Sequence, residues 1–121
     1  MRRTVVILPA LTLAAACQLG VPVNIEVRSG DSIQFTIPSE HTENFCLNAA
    51  TIYREVSGRE TVVWRIRLQP HSTGRCQTSF AFPTAPAQFV TEVSSTHLAP
   101  GSYRVEINGG LPQASGEFSV P

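Results

Sequence analysis

The sequence predicts an all-β domain, a single antiparallel β-sandwich of seven to eight strands that follows a signal peptide. Three observations support this fold class. Short runs of alternating apolar and polar residues recur, turn residues separate them, and no segment after residue 20 keeps a helical period. Of the 121 residues, about 100 remain once a leader is removed, which is enough for a two-layer core.

The strands are predicted in order from these alternating runs. Val23, Ile25 and Val27, for example, alternate with polar neighbours. Residues 57–60 are predicted to turn the chain between the third and fourth strands, because this segment contains Gly58. The predicted strands are 23–28, 33–37, 49–56, 61–68, 77–82, 87–93, 103–107 and 114–120.

The first sixteen residues have the pattern of a signal peptide. Arg2 and Arg3 supply positive charge, and residues 4–16 carry none. A membrane-spanning helix needs about 20 apolar residues, so this segment is too short to remain in a bilayer. Residues 1–16 are therefore predicted to be removed, which leaves a short tether at 17–21 and a domain at 22–121.

Three alanines, residues 14–16, directly precede Cys17. This run resembles the lipobox of bacterial lipoproteins, which implies that Cys17 is lipidated and anchors the chain to a membrane. Gln18 stands where an aspartate would mark inner-membrane retention, so the resemblance implies the outer membrane, facing the periplasm. The alternative is ordinary secretory cleavage after Ala16, which would leave a free thiol.

The other two cysteines are predicted to form a disulfide. The chain has three cysteines, and if Cys17 carries lipid, Cys46 and Cys76 remain as a pair in an exported domain. The alternatives are two buried free thiols or a pair of metal ligands. Neither cysteine has a partner at C-x-x-C spacing, which argues against a metal.

One local motif indicates the kind of sandwich. Leu98, Pro100, Gly101 and Tyr103 form a Leu-x-Pro-Gly-x-Tyr stretch. It resembles the corner before the penultimate strand of immunoglobulin-like and fibronectin type III-like domains. The resemblance implies an Ig-like β-sandwich in which the Tyr103 hydroxyl bonds back to the preceding loop.

The composition and motifs argue against several functions. All nine cationic residues are arginines. Removing Arg2 and Arg3 leaves seven against nine acids, a net charge of 7 − 9 = −2, so no basic surplus favours nucleic acid. Asp31, within Gly-Asp-Ser-Ile, resembles an esterase nucleophile block, but no aspartate follows it, and a tight turn is predicted. We expect the protein to have no enzymatic activity and to bind neither a cofactor nor a metal.

Two groups of side chains are candidates for binding. The first is His41 with Glu40 and Glu43, which could offer an imidazole and carboxylates from one loop, or could simply be solvated. The second group consists of Arg54, Arg65 and Arg67. If Tyr53 lies opposite Trp64, and Thr51 opposite Ile66, these arginines share the outer face beside Val63 and Ile52. There they could bind carboxylates or lipid phosphates, or form a solvated surface.

The function predicted from these features is that of a non-catalytic lipoprotein of the cell envelope. Its domain is expected to bind an envelope protein partner near the membrane surface, through loop 39–48 and turn 108–113 at one end of the sandwich. The alternatives are a small inhibitor or stress lipoprotein acting on a hydrolase, an anion- or lipid-binding arginine face, and metal capture at His41.

Overall fold

A computed structural model describes residues 20–72, 76–110 and 113–121. It contains two β-sheets, joined by loops and one short 3-10 helix at Ser39–His41. The strands are β1 Val21–Pro22, β2 Asn24–Ser29, β3 Ser32–Thr36, β4 Ala49–Val56, β5 Arg59–Leu68, β6 Ser79–Phe82, β7 Phe89–Val93, β8 Gly101–Asn108 and β9 Ala114–Val120. The predicted leader and Cys17 lie outside the described residues.

The strands form a six-stranded sheet in the order β1-β9-β8-β4-β5-β7 and a three-stranded sheet in the order β2-β3-β6. The all-β sandwich predicted from the sequence is confirmed. One strand pair departs from the antiparallel prediction, because β1 pairs in parallel with the start of β9. β1 has two residues and shows no alternation, which is why the sequence did not reveal it. Within the described residues, no helix is long and apolar enough to cross a membrane.

The core lies between the two sheets and is rich in aromatic side chains. Trp64, Tyr103, Phe35 and Phe82 are almost completely buried. Phe35 stacks on Phe80 with ring centroids 4.9 Å apart, and Trp64 meets Phe82 edge-on at 5.3 Å. These contacts are favourable offset or edge-to-face geometries, and each large aromatic side chain removes much apolar surface from water.

The corner motif before β8 has the hydrogen bond that its sequence implies. The Tyr103 hydroxyl donates to the carbonyl oxygen of Ala99 at 2.5 Å, while the ring stacks on Phe118 with centroids 5.5 Å apart. The predicted Cys46–Cys76 disulfide is also present, with Cα atoms 4.5 Å apart. It links the end of loop 39–48 to the segment that leads into β6.

The β4–β5 register differs from the prediction. Ile52 lies opposite Trp64, and Thr51 lies opposite Arg65, so the predicted Tyr53–Trp64 and Thr51–Ile66 pairs are wrong. The turn has two residues instead of four, since Ser57 and Gly58 both adopt positive φ (51° and 80°). Pairing moves from Val62 to Trp64 beyond the turn, which leaves Val63 as the extra residue of a β-bulge.

The strands run between two ends of the sandwich. The entry end carries Gly20 and Val21, loop 39–48 and the turn after β8, because Val21 pairs with Ala114 at the start of β9. The far end carries the β2–β3 turn, the β4–β5 turn and loop 94–100. Leu98 ties two of these far-end segments together by donating its N–H to Gly30 at 2.8 Å.

Candidate functional site

Two segments meet at the entry end, and together they form the candidate site. The backbone N–H of Cys46 donates to the Gly109 carbonyl at 2.9 Å, and that of Asn48 donates to the Asn108 carbonyl at 2.8 Å. A Cβ at residue 109 would overlap the Cys46 carbonyl, so this close approach requires glycine. Loop 39–48 and the turn after β8 therefore lie side by side, as expected from the sequence.

Loop 39–48 is held in a defined shape by local hydrogen bonds. His41 N–H donates to the Pro38 carbonyl at 2.9 Å, which closes the 3-10 turn. The Thr42 hydroxyl donates to the Ser39 carbonyl at 2.9 Å, and the Phe45 N–H donates to the Thr42 carbonyl at 3.2 Å. The buried Phe45 ring and the disulfide then fix the end of the loop.

This arrangement produces a shallow cavity of about 180 Å³. Glu40, His41 and Glu43 are exposed, whereas Phe45 is buried beneath them. The cavity thus offers an imidazole and two carboxylates over an apolar floor, which suits hydrogen-bond donors or a cationic side chain of a partner. The lining residues are Val21, Glu40, His41, Glu43, Asn44, Phe45 and Gly110.

The three predicted loop residues share this cavity without converging on a point. In residues 20–72, 76–110 and 113–121, no three His, Cys, Asp or Glu side chains are grouped as ligands of one metal ion. Zinc sites in proteins use three or four convergent ligands. What the structure presents at Glu40, His41 and Glu43 is an open polar surface.

The three predicted arginines do not form one cluster. Arg65 and Arg67 share the outer face of the six-stranded sheet and both approach Glu92, at 3.1 and 2.7 Å. The Arg65 Nε–H does not point at the Glu92 oxygen, so that contact is an ion pair by distance only. Arg54 instead lies opposite Tyr103, on the inward side of β4, and donates to the Pro100 carbonyl at 3.3 Å. Placing Arg54 with the other two was wrong, because the β-bulge at Val63 shifts the pairing by one residue and moves Arg54 to the opposite face of β4.

A different arginine, missed from the sequence, organises the outer face. Arg104 forms two hydrogen bonds to Glu60 (2.7 and 2.8 Å) and one to Glu106 (3.0 Å). Its guanidinium lies 4.4 Å from the centroid of the Tyr53 ring, and the Tyr53 hydroxyl donates to Glu106 at 3.2 Å. The signal available in the sequence was the alternation of Arg104 and Glu106 along β8, but it identifies no partners without the β4–β5 register.

The network changes the ionisation of its members. Hydrogen bonding to Glu60 raises the pKa of Arg104, and the same contact lowers the pKa of Glu60. Partial burial, followed by the charge of Glu106, raises the pKa of Tyr53. Desolvation and a hydrogen bond with Glu60 raise the pKa of the neighbouring Glu55. At neutral pH the centre of the outer face is therefore a hydrogen-bonded ion-pair group of Arg104 with Glu60 and Glu106.

Two further features lie outside these groups. At the far end, Asp31 contacts His97, joining the β2–β3 turn to loop 94–100 and confirming the predicted turn. Near the disulfide, a cavity of about 340 Å³ lies beside Leu68 and Phe89. Gln88, also in its wall, adopts a positive φ of 70°, which non-glycine residues seldom do.

No protein-family model, curated protein or solved structure matches the chain. What the fold and the geometry define is a two-sheet, disulfide-linked β-domain. Its polar loop cavity lies at the end where Val21 enters the sheet.

Proposed function

We propose that the protein is a non-catalytic lipoprotein of the cell envelope. In this proposal Cys17 carries the lipid, the anchor lies in the outer membrane facing the periplasm, and the β-domain binds an envelope protein partner near the membrane surface. The entry-end cavity formed by loop 39–48 and the turn after β8 is the proposed contact.

One observation carries the proposal. Val21 lines the same cavity as Glu40, His41 and Glu43, and it is only four residues from Cys17. Four residues of extended chain span about 14 Å. A partner that enters this cavity therefore meets the domain close to the lipid surface.

The test is crosslinking in living cells from a photoreactive residue placed at Asn44, an exposed position in the cavity wall. We expect a defined partner band that is lost in Glu43→Arg, because the reversed charge repels a cationic contact. Arg59→Glu is the matched control: it also reverses an exposed charge, but at the far end, and should keep the band.

The same crosslinking experiment has outcomes that would contradict the proposal. If the band is absent from the unaltered protein, or survives Glu43→Arg unchanged, the entry-end cavity is not the partner site. The identity of a captured protein separates an adaptor from an inhibitor, since an inhibitor would capture a hydrolase.

A second candidate function rests on Arg65 and Arg67. Their side chains are 42% and 52% exposed, and Glu92 supplies one negative charge for two positive ones. This local surplus could bind phosphate groups. Arg67→Glu should then abolish binding of the soluble domain to vesicles of anionic phospholipid, while unchanged binding, or none by the native domain, would exclude the arginine face.

A further inference from the structure

We infer that the anchored domain stands end-on, with its entry end facing the lipid headgroups and its far end pointing away from the membrane. A protein that occupies the entry-end cavity must then sit in the same membrane. This inference rests on the lipid anchor of the proposed function, and adds to it the direction of the domain and the class of partner: an integral membrane protein with a short exposed segment.

The chain joins the larger sheet within four residues of Cys17. The Val21 N–H donates to the Gln113 carbonyl at 3.0 Å, and Val21 and Pro22 pair with Ala114 and Ser115. Only residues 18–20 remain between the lipidated cysteine and the sheet. Because of this short tether, the entry end stays within about 14 Å of the acylated residue.

The strands are long enough to separate the two ends of the domain widely. β4 runs for eight residues from Ala49 at the entry end to Val56 beside the far turn. At about 3.4 Å per residue, it places the far turn about 25 Å further from the anchor. A tether at one end and a bilayer that the domain cannot penetrate exclude orientations in which the far end points at the lipid.

Neither outer sheet face of the described domain offers a surface that would hold the domain flat on the membrane. The outer face of the six-stranded sheet has a formal charge of 3 − 5 = −2 and so has no net positive charge for anionic lipid. The entry end also carries the exposed Glu40 and Glu43, so the short tether, and not charge, keeps this end at the headgroups. The outer face of the smaller sheet carries the exposed Glu26–Arg28 pair, whose charges cancel. Among the described residues, the exposed large hydrophobic side chain is Val56, at the far end. The charged residues of the larger face are Glu55, Glu60, Glu92, Glu106, Glu117, Arg65, Arg67 and Arg104.

The consequence concerns the partner. In this orientation, the cavity lined by Glu40, His41 and Glu43 lies at the end of the domain that is next to the headgroups. A large soluble protein cannot enter the narrow space beside the headgroups, whereas a loop or helix end that projects slightly from the bilayer can. The carboxylates favour a segment that carries lysine or arginine.

The test uses the acylated full-length protein in vesicles that contain a headgroup-linked nitroxide lipid, a short-range quencher of fluorescence. Single cysteines for a thiol dye are placed by Asn44→Cys at the entry end, and by Arg59→Cys or Thr96→Cys at the far end. All three positions are exposed, and the native Cys46 and Cys76 are joined to each other. Thermal unfolding checks that each variant is folded.

We expect quenching at residue 44 to be at least threefold stronger than at residues 59 and 96. Three results would contradict the end-on orientation without contradicting the lipid anchor. These are equal quenching at both ends, stronger quenching at the far end, and no quenching at any position on vesicles that float with the protein. If the native protein does not float with vesicles, the anchor fails and the end-on orientation fails with it. Cys17→Ala versions of the labelled variants give the unanchored baseline.

Discussion

At the scale of single residues, the hydroxyl of Tyr103 joins the loop before β8 to the core. The side chain is 1% exposed, and its hydroxyl is hydrogen-bonded to Ala99. Tyr103→Phe keeps the ring in place and removes that bond, leaving the Ala99 carbonyl without this donor. We expect a loss of about 1 kcal/mol in the free energy of unfolding, measured with denaturant.

Tyr53→Phe is the matched control for that measurement. It removes the part-buried hydroxyl that donates to Glu106, a carboxylate that also binds Arg104. The loss of stability should be smaller than for Tyr103→Phe, because Glu106 keeps another donor. Equal losses in the two variants would show that the corner hydrogen bond has no special weight.

Glu60 provides a test of the outer-face network by pH. Its hydrogen bond with Arg104 lowers its pKa below the ordinary 4.5, so it stabilises the fold above pH 4.5, and that contribution is lost as pH falls through the lowered pKa. Glu60→Gln should lower stability at pH 7, and the gap from the native protein should narrow by pH 3. Glu55, whose pKa is raised, acts in the opposite sense.

The measurement is the denaturant midpoint at both pH values. Glu26→Gln is the control, because its partner Arg28 is 61% exposed and surface ion pairs contribute little. A gap between Glu60→Gln and the native protein that stays constant from pH 7 to pH 3 would contradict the assigned role of the Glu60–Arg104 contact.

The residue scale also shows where sequence reasoning succeeds and fails. Trp64 and Ile66 were placed on the core side, and both are completely buried. Arg65 and Arg67 were placed on the outer face, where they lie. Arg54 was placed wrongly and Arg104 was missed, because each position depends on the partner strand. The two-residue turn depends on the positive φ of Ser57, and the bulge at Val63 is a feature of the strand pairing; composition reveals neither.

At the scale of elements, the disulfide constrains the loops of the entry end. The bonded residues are 30 apart in sequence and enclose the whole β4–β5 hairpin. The double change Cys46→Ser and Cys76→Ser should cost about 3.6 kcal/mol of stability, because the unfolded chain regains the entropy of an open loop. Denaturant unfolding measures this loss.

A reducing agent added to the native protein is the matched comparison for the disulfide. It should lower the stability to the value of the double variant, and it should leave the double variant unchanged. A native protein that unfolds at the same denaturant concentration with and without reductant would mean that the bond contributes no stability.

Elements that depend on local sequence could be predicted, whereas elements that depend on a distant strand could not. The β2–β3 hairpin and the β8 corner were predictable because their turns and alternation are local. β1 was not, since a two-residue strand is stabilised by the β9 edge it joins and carries no pattern of its own. The loop cavity was predictable in part: its polar residues are evident in the sequence, but the neighbouring Phe45 and Gly110 become part of it only through the fold.

For the whole molecule, the fold class follows from the alternating runs, whereas the proposed membrane localisation depends on Cys17. Cys17→Ala should move the protein from the membrane fraction to the soluble periplasmic fraction, because it removes the atom that would carry the acyl chains. Fractionation with immunoblotting measures this. The Cys46→Ser and Cys76→Ser double variant, which keeps Cys17, should stay in the membrane fraction. Retention of Cys17→Ala in that fraction would contradict the lipid assignment.

The parallel pairing of β1 with β9 has a consequence for mechanical load. If a partner holds the body of the domain while the proposed lipid anchor is pulled, the force acts along β1 and loads its bonds to β9 in shear, together and not one by one. β1 has only two residues, so it would detach first. Its release would lengthen the tether by about 7 Å. The other strands of the larger sheet would remain assembled, because β9 also pairs with β8 along its length. Under load, β1 would then become a short additional length of extended chain between the membrane and the folded domain.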